Sequence, residues 1–287
     1  MHQAWGIQTV APTDERGPAR MVEIEGQPTI QRGVRLIDPG IDQEGGIVKP
    51  SMYPKFKQIC HFVEIVDQLI SESELAAAPA LSVTDIGSGK GYLTFALYDH
   101  LTTKLGKAAT VTGVDVRADM VKLCAEIAAR SGFDRLFFEA ALAGNAKASV
   151  RDVIIALHAC DTATDDAIYQ GITAGAALIV TAPCCQHELA PQLDERSERL
   201  AGLMKFGLFK QRLADLATDT ARCLLLEASG YRVKVIEFVS TEHTAKNILI
   251  AAIRSNEVDR ARAEAQYAAL KAEMGFTTQH LEMLLKR

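Results

Sequence analysis

The sequence has little of several features that would quickly assign it to a class of protein. Its 287 residues carry 31 Lys and Arg against 36 Asp and Glu, a formal net charge of −5. A surface that is basic overall, of the kind that coats nucleic acid, is therefore excluded, although a local basic groove is not. The longest apolar runs, such as residues 176–182, are far too short to span a bilayer. The chain does not open on a basic stretch followed by an apolar core, so no secretory signal is recognised.

The six cysteines follow no pattern that points to disulfides or to a closed metal site. Their spacing is irregular and no Cys-x-x-Cys pair occurs. A chain of this size needs no covalent staples, so we expect reduced thiols in a cytoplasmic protein. Hydrophobic residues make up 48% and charged residues 23%, as in an ordinary soluble globular protein.

Composition divides the chain into three parts. Residues 1–50 are rich in Gly, Pro and charge, contain one expected hairpin at residues 21–31, and form an N-terminal extension that acts as a lid or faces the substrate. Residues 51–256 form the main domain. Residues 257–287 are a charged, helix-favouring tail, for which packing against the domain is favoured over binding a partner.

The main domain alternates between strand and helix patterns. Apolar residues at helical spacing predict a first helix at 54–70. Two continuous apolar runs, 152–157 and 176–181, are typical of strands buried on both faces. The pattern predicts an α/β fold, a Rossmann-like doubly wound sheet of seven strands. The last two strands, near 231–239 and 247–253, are joined by a short connection, which predicts that the last one runs antiparallel.

The most informative segment joins a strand to a helix through alternating glycines. It reads Asp85-Ile86-Gly87-Ser88-Gly89-Lys90-Gly91. Glycine permits backbone angles closed to other residues, and a helix N-terminus offers free N–H groups to an anion. The dinucleotide fingerprint is excluded because Tyr92 stands where its third glycine belongs. The phosphate loop is excluded because Gly89-Lys90 is followed by another glycine.

This Asp-x-Gly-x-Gly-x-Gly segment resembles motif I of the class I S-adenosylmethionine (SAM)-dependent methyltransferases. Asp115 ends the next strand, where that family places an acidic residue that binds both ribose hydroxyls, since a carboxylate can accept two hydrogen bonds from a diol. Glu139 follows the third strand, where the family often places a contact on the adenine side. The resemblance implies that SAM is the cofactor. The candidate cofactor-binding residues are Asp85, Gly87, Ser88, Gly89, Gly91, Asp115, Val116, Glu139 and His158.

Histidine and cysteine gather at the ends of the fourth and fifth strands. Chemistry in a doubly wound sheet concentrates at the carboxyl ends of strands, so these side chains are expected to converge. Four readings stay open: a His general base, a Cys thiolate that adds to a pyrimidine, a zinc site, and small buried residues with a structural role. The connection between the last two strands adds a further histidine. The candidate catalytic residues are His158, Cys160, Cys184, Cys185, His187 and His243, and no metal ligand is assigned.

The segments at 157–165 and 183–187 resemble one branch of the methyltransferase superfamily. That branch includes the tRNA acceptor-stem ribose 2′-O-methyltransferases and uncharacterised methyltransferase-like or rRNA adenine dimethylase-domain relatives. The chain departs from the branch pattern at two positions: Asp161 replaces a Gly, and Gln186 replaces a His. The zinc-finger modules of the eukaryotic tRNA enzymes are missing.

The sequence therefore predicts a SAM-dependent methyltransferase whose acceptor is RNA, tRNA or rRNA. No membrane partner is expected. The alternatives are a protein or small-molecule acceptor, and a SAM-binding interaction module without transferase activity. A scattered charged surface is the default expectation, and a phosphate-facing patch, if present, is expected in the N-terminal region, from Arg32, Arg35, Lys49, Lys55 and Lys57.

Overall fold

The computed structural model describes most of the chain from Tyr53 onward. Described in full are residues 53–144, 152–157, 159, 161–184, 186–193, 200–238 and 247–286, together with the backbone of Asn145. Before them, only the backbone of four short strands is described. These are β1 (Met21–Ile24), β2 (Gln27–Ile30), β3 (Asp42–Gln43) and β4 (Ile47–Val48), which form an antiparallel sheet in the order β1-β2-β4-β3. The expected hairpin at 21–31 is confirmed as the β1–β2 pair.

A seven-stranded sheet forms the centre of the domain, in the order β10-β11-β9-β8-β5-β6-β7. All neighbours are parallel except β11, which is antiparallel to β9 and to β10. The predicted sheet and its antiparallel last strand are thus confirmed. The strands are β5 (Ala80–Ile86), β6 (Ala108–Asp115), β7 (Leu136–Ala140), β8 (Val153–Ala156), β9 (Leu178–Thr181), β10 (Tyr231–Glu237) and β11 (Ile248–Arg254).

Eight helices are described, most of them packed against the sheet. Helix α1 buries one apolar face, including Phe56, Phe62 and Val66, as its periodicity predicts. Helix α2 continues into a π-helical turn, His100–Lys104. The helices are α1 (Tyr53–Ser71), α2 (Tyr92–Asp99), α3 (Ala118–Arg130), α4 (Thr162–Thr173), α5 (Ala201–Met204), α6 (Gly207–Ala228), α7 (Arg260–Met274) and α8 (His280–Leu285).

The central strands are the most completely buried part of the fold. All four residues of β8 are fully buried, and β9 is buried throughout, because helices cover both faces of the sheet there. Parallel strands from β5 to β9 bring their carboxyl ends to one edge. Since β10 is antiparallel to β11, and β11 to β9, β10 ends at the same edge.

The C-terminal tail packs on the domain, as expected. Three tail residues are buried in the core that also contains residues of α4 and α6. They are Tyr267 on α7, Phe276 between the two helices, and Leu281 on α8. The domain boundaries at residues 50 and 256 stay predictions. No helix within the described ranges combines the length and the apolar character that a bilayer crossing requires.

Candidate functional site

The glycine loop connects β5 to α2 across the edge of the sheet. Gly87, Gly89 and Gly91 have φ angles of 78°, 58° and 72°, in the left-handed region that side chains disfavour. The N–H groups of Gly87 and Ser88 both donate to the carbonyl of Val114, at 2.7 and 3.0 Å. The loop is therefore pinned to the end of the neighbouring strand β6.

Asp115, the last residue of β6, holds the same loop from the other side. Its carboxylate accepts hydrogen bonds from the backbone N–H of Gly89 at 2.8 Å and from the backbone N–H and Nε of Arg117, both at 3.0 Å. Burial acts to raise the pKa of Asp115, but the hydrogen bonds from Arg117 and Gly89 outweigh it and hold the pKa below its ordinary value. The site thus keeps an ionised acceptor beside the glycines.

Asp85 lies under the loop in a different electrostatic environment. It is buried, and its Oδ2 accepts a hydrogen bond from Thr94 Oγ1 at 2.6 Å. Burial raises the pKa of Asp85 to about 6, with the Thr94 hydrogen bond opposing the rise and the negative charge of Asp115 adding to it. An ionised Asp85 therefore costs folding free energy at neutral pH.

Replacing Asp85 with asparagine tests this cost. Because the pKa of Asp85 is higher in the folded than in the unfolded chain, its contribution to stability is favourable below about pH 4 and is lost as pH rises through about 6. The unfolding free energy of Asp85→Asn minus that of the wild type should grow by about 2 kcal/mol between pH 4.5 and 7.5. Urea unfolding across that range measures it, and a difference that stays constant would contradict the assignment.

A cavity of about 880 Å³ opens above the loop at the carboxyl edge of the sheet. One part is walled by the glycine loop, the end of β6 and the segment after β7. The other part is walled by α1, the start of α2, the segment after β8 and the residue that follows β10. The lining residues are Lys55, Gln58, Ile59, Phe62, Asp85, Ile86, Gly87, Ser88, Gly89, Lys90, Tyr92, Leu93, Val114, Asp115, Val116, Arg117, Ala141, Leu142, Ala143, Gly144, Leu157, Ala159, Ala163, Asp166 and Phe238.

The candidate cofactor residues fall into three groups. Six of them line the cavity together: Asp85, Gly87, Ser88, Gly89, Asp115 and Val116. Gly91 caps the N-terminus of α2 in the left-handed conformation, and Glu139, on β7, is not among the lining residues. His158 lies outside the described residues.

The structure describes two of the six candidate catalytic residues. Cys184 is half-buried and His187 is exposed, and neither lines the cavity. The backbone N–H of His187 donates to Asp161 Oδ1 at 3.0 Å, which ties the segment after β9 to the segment after β8. His158, Cys160, Cys185 and His243 lie outside the described residues. Within the described ranges, no group of three or more His, Cys, Asp or Glu is arranged to hold a metal ion.

Sequence reasoning included Lys55 in a candidate phosphate-facing patch but missed that α1 lines the cavity. Lys55 and Gln58 line it from one face of that helix, and the Lys55 ammonium lies 4.4 Å from the centre of the Tyr92 ring, a cation–π contact. Phe62 and Phe238, 6.3 Å apart between ring centres, close the same side. The apolar spacing of α1 showed which face enters the core but not that its N-terminal turn covers a ligand site.

A second missed feature is a buried polar network beneath the strand ends. Asp219 and Arg222 lie three residues apart on α6 and pair at 3.2 Å. Arg222 is also fully buried and binds both carboxylate oxygens of Asp165, which is itself fully buried, at 3.0 and 2.6 Å. No sequence signal joined residues so far apart, although Asp165 belongs to the segment singled out after β8.

The cavity suits a ligand such as SAM. Its volume lies within the roughly 300–1,000 Å³ of sites that bind ligands of this size. Ser88 Oγ is buried at its wall and has no hydrogen-bond partner within the described part of the chain, so a bound ligand can satisfy it. Ser88 Oγ provides a donor, and the ionised Asp115 carboxylate on the adjacent strand provides an acceptor.

Residues 54–192 match the family model of a methyltransferase domain. No curated protein matches the sequence. Structures similar to the chain include a proposed SAM-dependent methyltransferase from Methanococcus maripaludis, with 12% identity, TM-score 0.43, and coverage of 72% of this chain and 92% of that one.

Two further similar structures come from other organisms. A ribosomal protein L11 methylase from Lactobacillus delbrueckii subsp. bulgaricus has 14% identity and TM-score 0.41, with coverage of 77% and 84% of the two chains. A dimethyladenosine transferase from Plasmodium falciparum has 15% identity and TM-score 0.44, with coverage of 78% and 73%. At these scores the structures do not identify the acceptor of this chain.

Proposed function

We propose that the chain transfers a methyl group from SAM to RNA, and the methyltransferase family model that matches residues 54–192 supports the transferase part of this proposal. When bound, SAM would supply an electrophilic sulfonium methyl for in-line transfer to an acceptor nucleophile, and the donor sulfur would keep the electron pair of the broken carbon–sulfur bond. The acceptor proton passes to a base or to water. The chain's own contribution is to hold the two partners close and in line.

On the donor side, we propose that Asp115 accepts hydrogen bonds from both ribose hydroxyls, in part replacing those it now accepts from Arg117. The loop from Gly87 to Gly91 lets the methionine end approach the main chain. Ser88 Oγ gives a hydrogen bond that it does not make in the protein alone. Val116, 62% exposed at the cavity wall, offers an apolar surface to the adenine. The assignments of Asp85, Gly91, Glu139 and His158 to donor binding stay proposals of the same kind.

On the acceptor side, the cavity ends among aromatic groups and one cation. Tyr92, Phe62 and Phe238 surround this end, and Lys55 lies over the Tyr92 ring. Aromatic rings can stack on a base that has flipped out of its helix, and an ammonium group can bind a phosphate. The candidate catalytic residues His158, Cys160, Cys184, Cys185, His187 and His243 keep that role as a proposal.

The observation that carries the RNA proposal lies outside the cavity, on an aromatic and cationic surface at residues 203–212. Phe206 and Phe209 are 54% and 51% exposed, with ring centres 5.8 Å apart, and Leu203 and Leu208 are exposed beside them. The Lys205 ammonium lies 5.8 Å from the Phe206 ring centre. From Leu200 to Ala214 the chain has three Lys or Arg and no Asp or Glu, although the protein is acidic overall.

This surface adjoins the strand-end loops. Gln211, in the first turn after Phe209, donates from Nε2 to the carbonyl of Gln186, in the segment after β9, at 3.0 Å. Exposed rings stack on unpaired bases, and neighbouring cations bind phosphates, so the combination is typical of single-stranded nucleic-acid binding. A small metabolite would not need a surface beyond the cavity.

Labelled SAM, the purified protein, and total RNA and protein from cells test the acceptor. We expect label in nuclease-sensitive material, followed by assignment of the modified nucleoside. Label in protein alone would overturn the RNA proposal and keep the enzyme. Donor binding without any label would favour a small-molecule acceptor or a module without transferase activity.

The double substitution Phe206→Ala and Phe209→Ala tests the surface itself. Because stacking contributes about 1–3 kcal/mol per base, RNA affinity should fall at least about tenfold, while SAM affinity is unchanged. Fluorescence anisotropy with a labelled single-stranded RNA dodecamer measures the loss. The matched control is Val235→Ala, which removes a hydrophobic side chain that is 60% exposed on β10. Equal RNA affinity in all three proteins would remove this surface from the proposal.

A further inference from the structure

Gln279, just before α8 in the tail, reaches the interior of the catalytic domain. Its side chain is fully buried, and Nε2 donates to Asp165 Oδ1 at 2.7 Å. The same side chain caps α8, because Oε1 accepts from the backbone N–H of Glu282 at 2.9 Å. One residue thus joins the tail to the first turn of α4.

Arg222 connects Asp165 to Asp161, in the segment after β8. Arg222 Nε and Nη2 bind the two oxygens of Asp165, and Nη2 also donates to the carbonyl of Asp161 at 2.8 Å. The guanidinium and the Asp165 carboxylate are buried, so the geometry of each depends on its few partners. Asp165 Oδ1 accepts from both Gln279 Nε2 and Arg222 Nε, so removing Gln279 takes away one of the two hydrogen bonds of this buried oxygen.

Asp161 is the residue that this network restrains. Its φ is +53° and its ψ is −126°, a conformation that glycine adopts far more readily than aspartate. Its carboxylate accepts from the backbone N–H of His187, so one residue holds the segment after β8 against the segment after β9. Two residues earlier, Ala159 lines the cavity. Strained backbone of this kind persists where its surroundings fix it.

A second contact joins the tail to the cavity. His280 Nε2 lies 2.9 Å from Asp166 Oδ1, and Asp166 is a cavity-lining residue. Two adjacent tail residues therefore contact two adjacent residues of α4, one beneath the strand-end segments and one at the cavity wall.

We propose that Gln279 is a positioning residue for methyl transfer: through Asp165 and Arg222 it fixes Asp161 and with it the acceptor-side segments after β8 and β9. The inference rests on the proposed transferase function but not on RNA as the acceptor. The C-terminal tail then contributes to catalysis by positioning the site, in addition to packing against the domain.

Three variants separate positioning from helix capping. Gln279→Ala removes both the hydrogen bond to Asp165 and the cap of α8. Gln279→Glu keeps an oxygen for the cap but replaces the donor facing Asp165 with a carboxylate. Asp259→Ala is the matched control, because Asp259 caps the other tail helix, α7, by accepting from the N–H of Arg262 at 3.0 Å.

We expect both Gln279 variants to lose at least about tenfold in kcat for transfer to the material that the wild type labels, with SAM affinity within twofold. Asp259→Ala should keep wild-type kcat and SAM affinity. A wild-type kcat in Gln279→Glu would overturn the proposal, since the cap alone would then explain the residue. An equal loss of kcat in Asp259→Ala would also overturn it.

The acceptor is a separate question. Label in protein instead of RNA would overturn the RNA proposal alone, and the same variants would then be compared with that protein as the acceptor.

A measurement without any acceptor gives an independent answer. Hydrogen–deuterium exchange should become at least about tenfold faster at the amides of Thr164 and His187, which donate to the carbonyl and carboxylate of Asp161, in both Gln279 variants but not in Asp259→Ala. Unchanged exchange at these two amides would overturn the proposal.

Discussion

Replacing Asp115 with alanine is expected to weaken SAM binding at least about 100-fold. In the proposed complex two ribose hydroxyls donate to an ionised carboxylate, and hydrogen bonds to charged groups contribute about 1.5–3 kcal/mol each. The substitution also frees the N–H of Gly89, which Asp115 holds at 2.8 Å. Both losses act on the donor site, and isothermal titration calorimetry with SAM measures their sum.

Arg117→Ala is the matched control for this experiment. It removes the side chain that pairs with Asp115 at 3.0 Å but leaves the carboxylate and its bond to Gly89. Arg117 is about half exposed, so its loss should change SAM affinity by less than threefold. An Asp115→Ala protein that binds SAM like the wild type would remove Asp115 from the donor site. If SAM affinity fell equally in both variants, the loss would be due to the Asp115–Arg117 ion pair rather than to the Asp115 carboxylate itself.

Replacing Arg222 with methionine is expected to lower the unfolding free energy by about 3–5 kcal/mol. The change leaves the Asp165 carboxylate buried without its cation, and breaking a buried ion pair from one side costs that much. Asp219 loses the same partner. Urea unfolding at neutral pH measures the loss, with Arg212→Met as control, since Arg212 is exposed on the same helix and should change stability by less than about 0.5 kcal/mol.

The double variant Arg222→Met with Asp165→Leu makes the cause visible. If the uncompensated carboxylate is responsible, removing it should recover most of the lost stability, because paired apolar groups replace buried ion pairs at little cost. Stability that stays low in the double variant would instead point to packing around the Arg222 side chain.

The parts of the fold that sequence reasoning predicted are those set by local pattern. The apolar runs at 152–157 and 176–181 are typical of buried strands, and the short connection before residue 247 predicted the direction of the last strand. The loop from Gly87 to Gly91 carried its own signature, because glycine at alternate positions between a strand and a helix has few uses.

The parts that escaped prediction depend on contacts between distant segments. The partnership of Arg222 with Asp165, and of both with Gln279, joins three helices whose patterns each look complete alone. Asp161 shows the limit in a different way. The branch that the sequence resembles has glycine there, and the positive φ accounts for it, but the side-chain bond to His187 that accompanies aspartate is invisible without coordinates.

The walls of the cavity come from both ends of the domain, from Lys55 on α1 to Phe238 after β10. A ligand that contacts all of them binds the native chain and cannot bind the unfolded one. Such linkage adds about 2.7 kcal/mol to the unfolding free energy when the free ligand stands at a hundred times its dissociation constant. The lifetime of this protein against unfolding and proteolysis therefore follows the supply of methyl donor around it, so a cell short of the donor would also keep less of the enzyme.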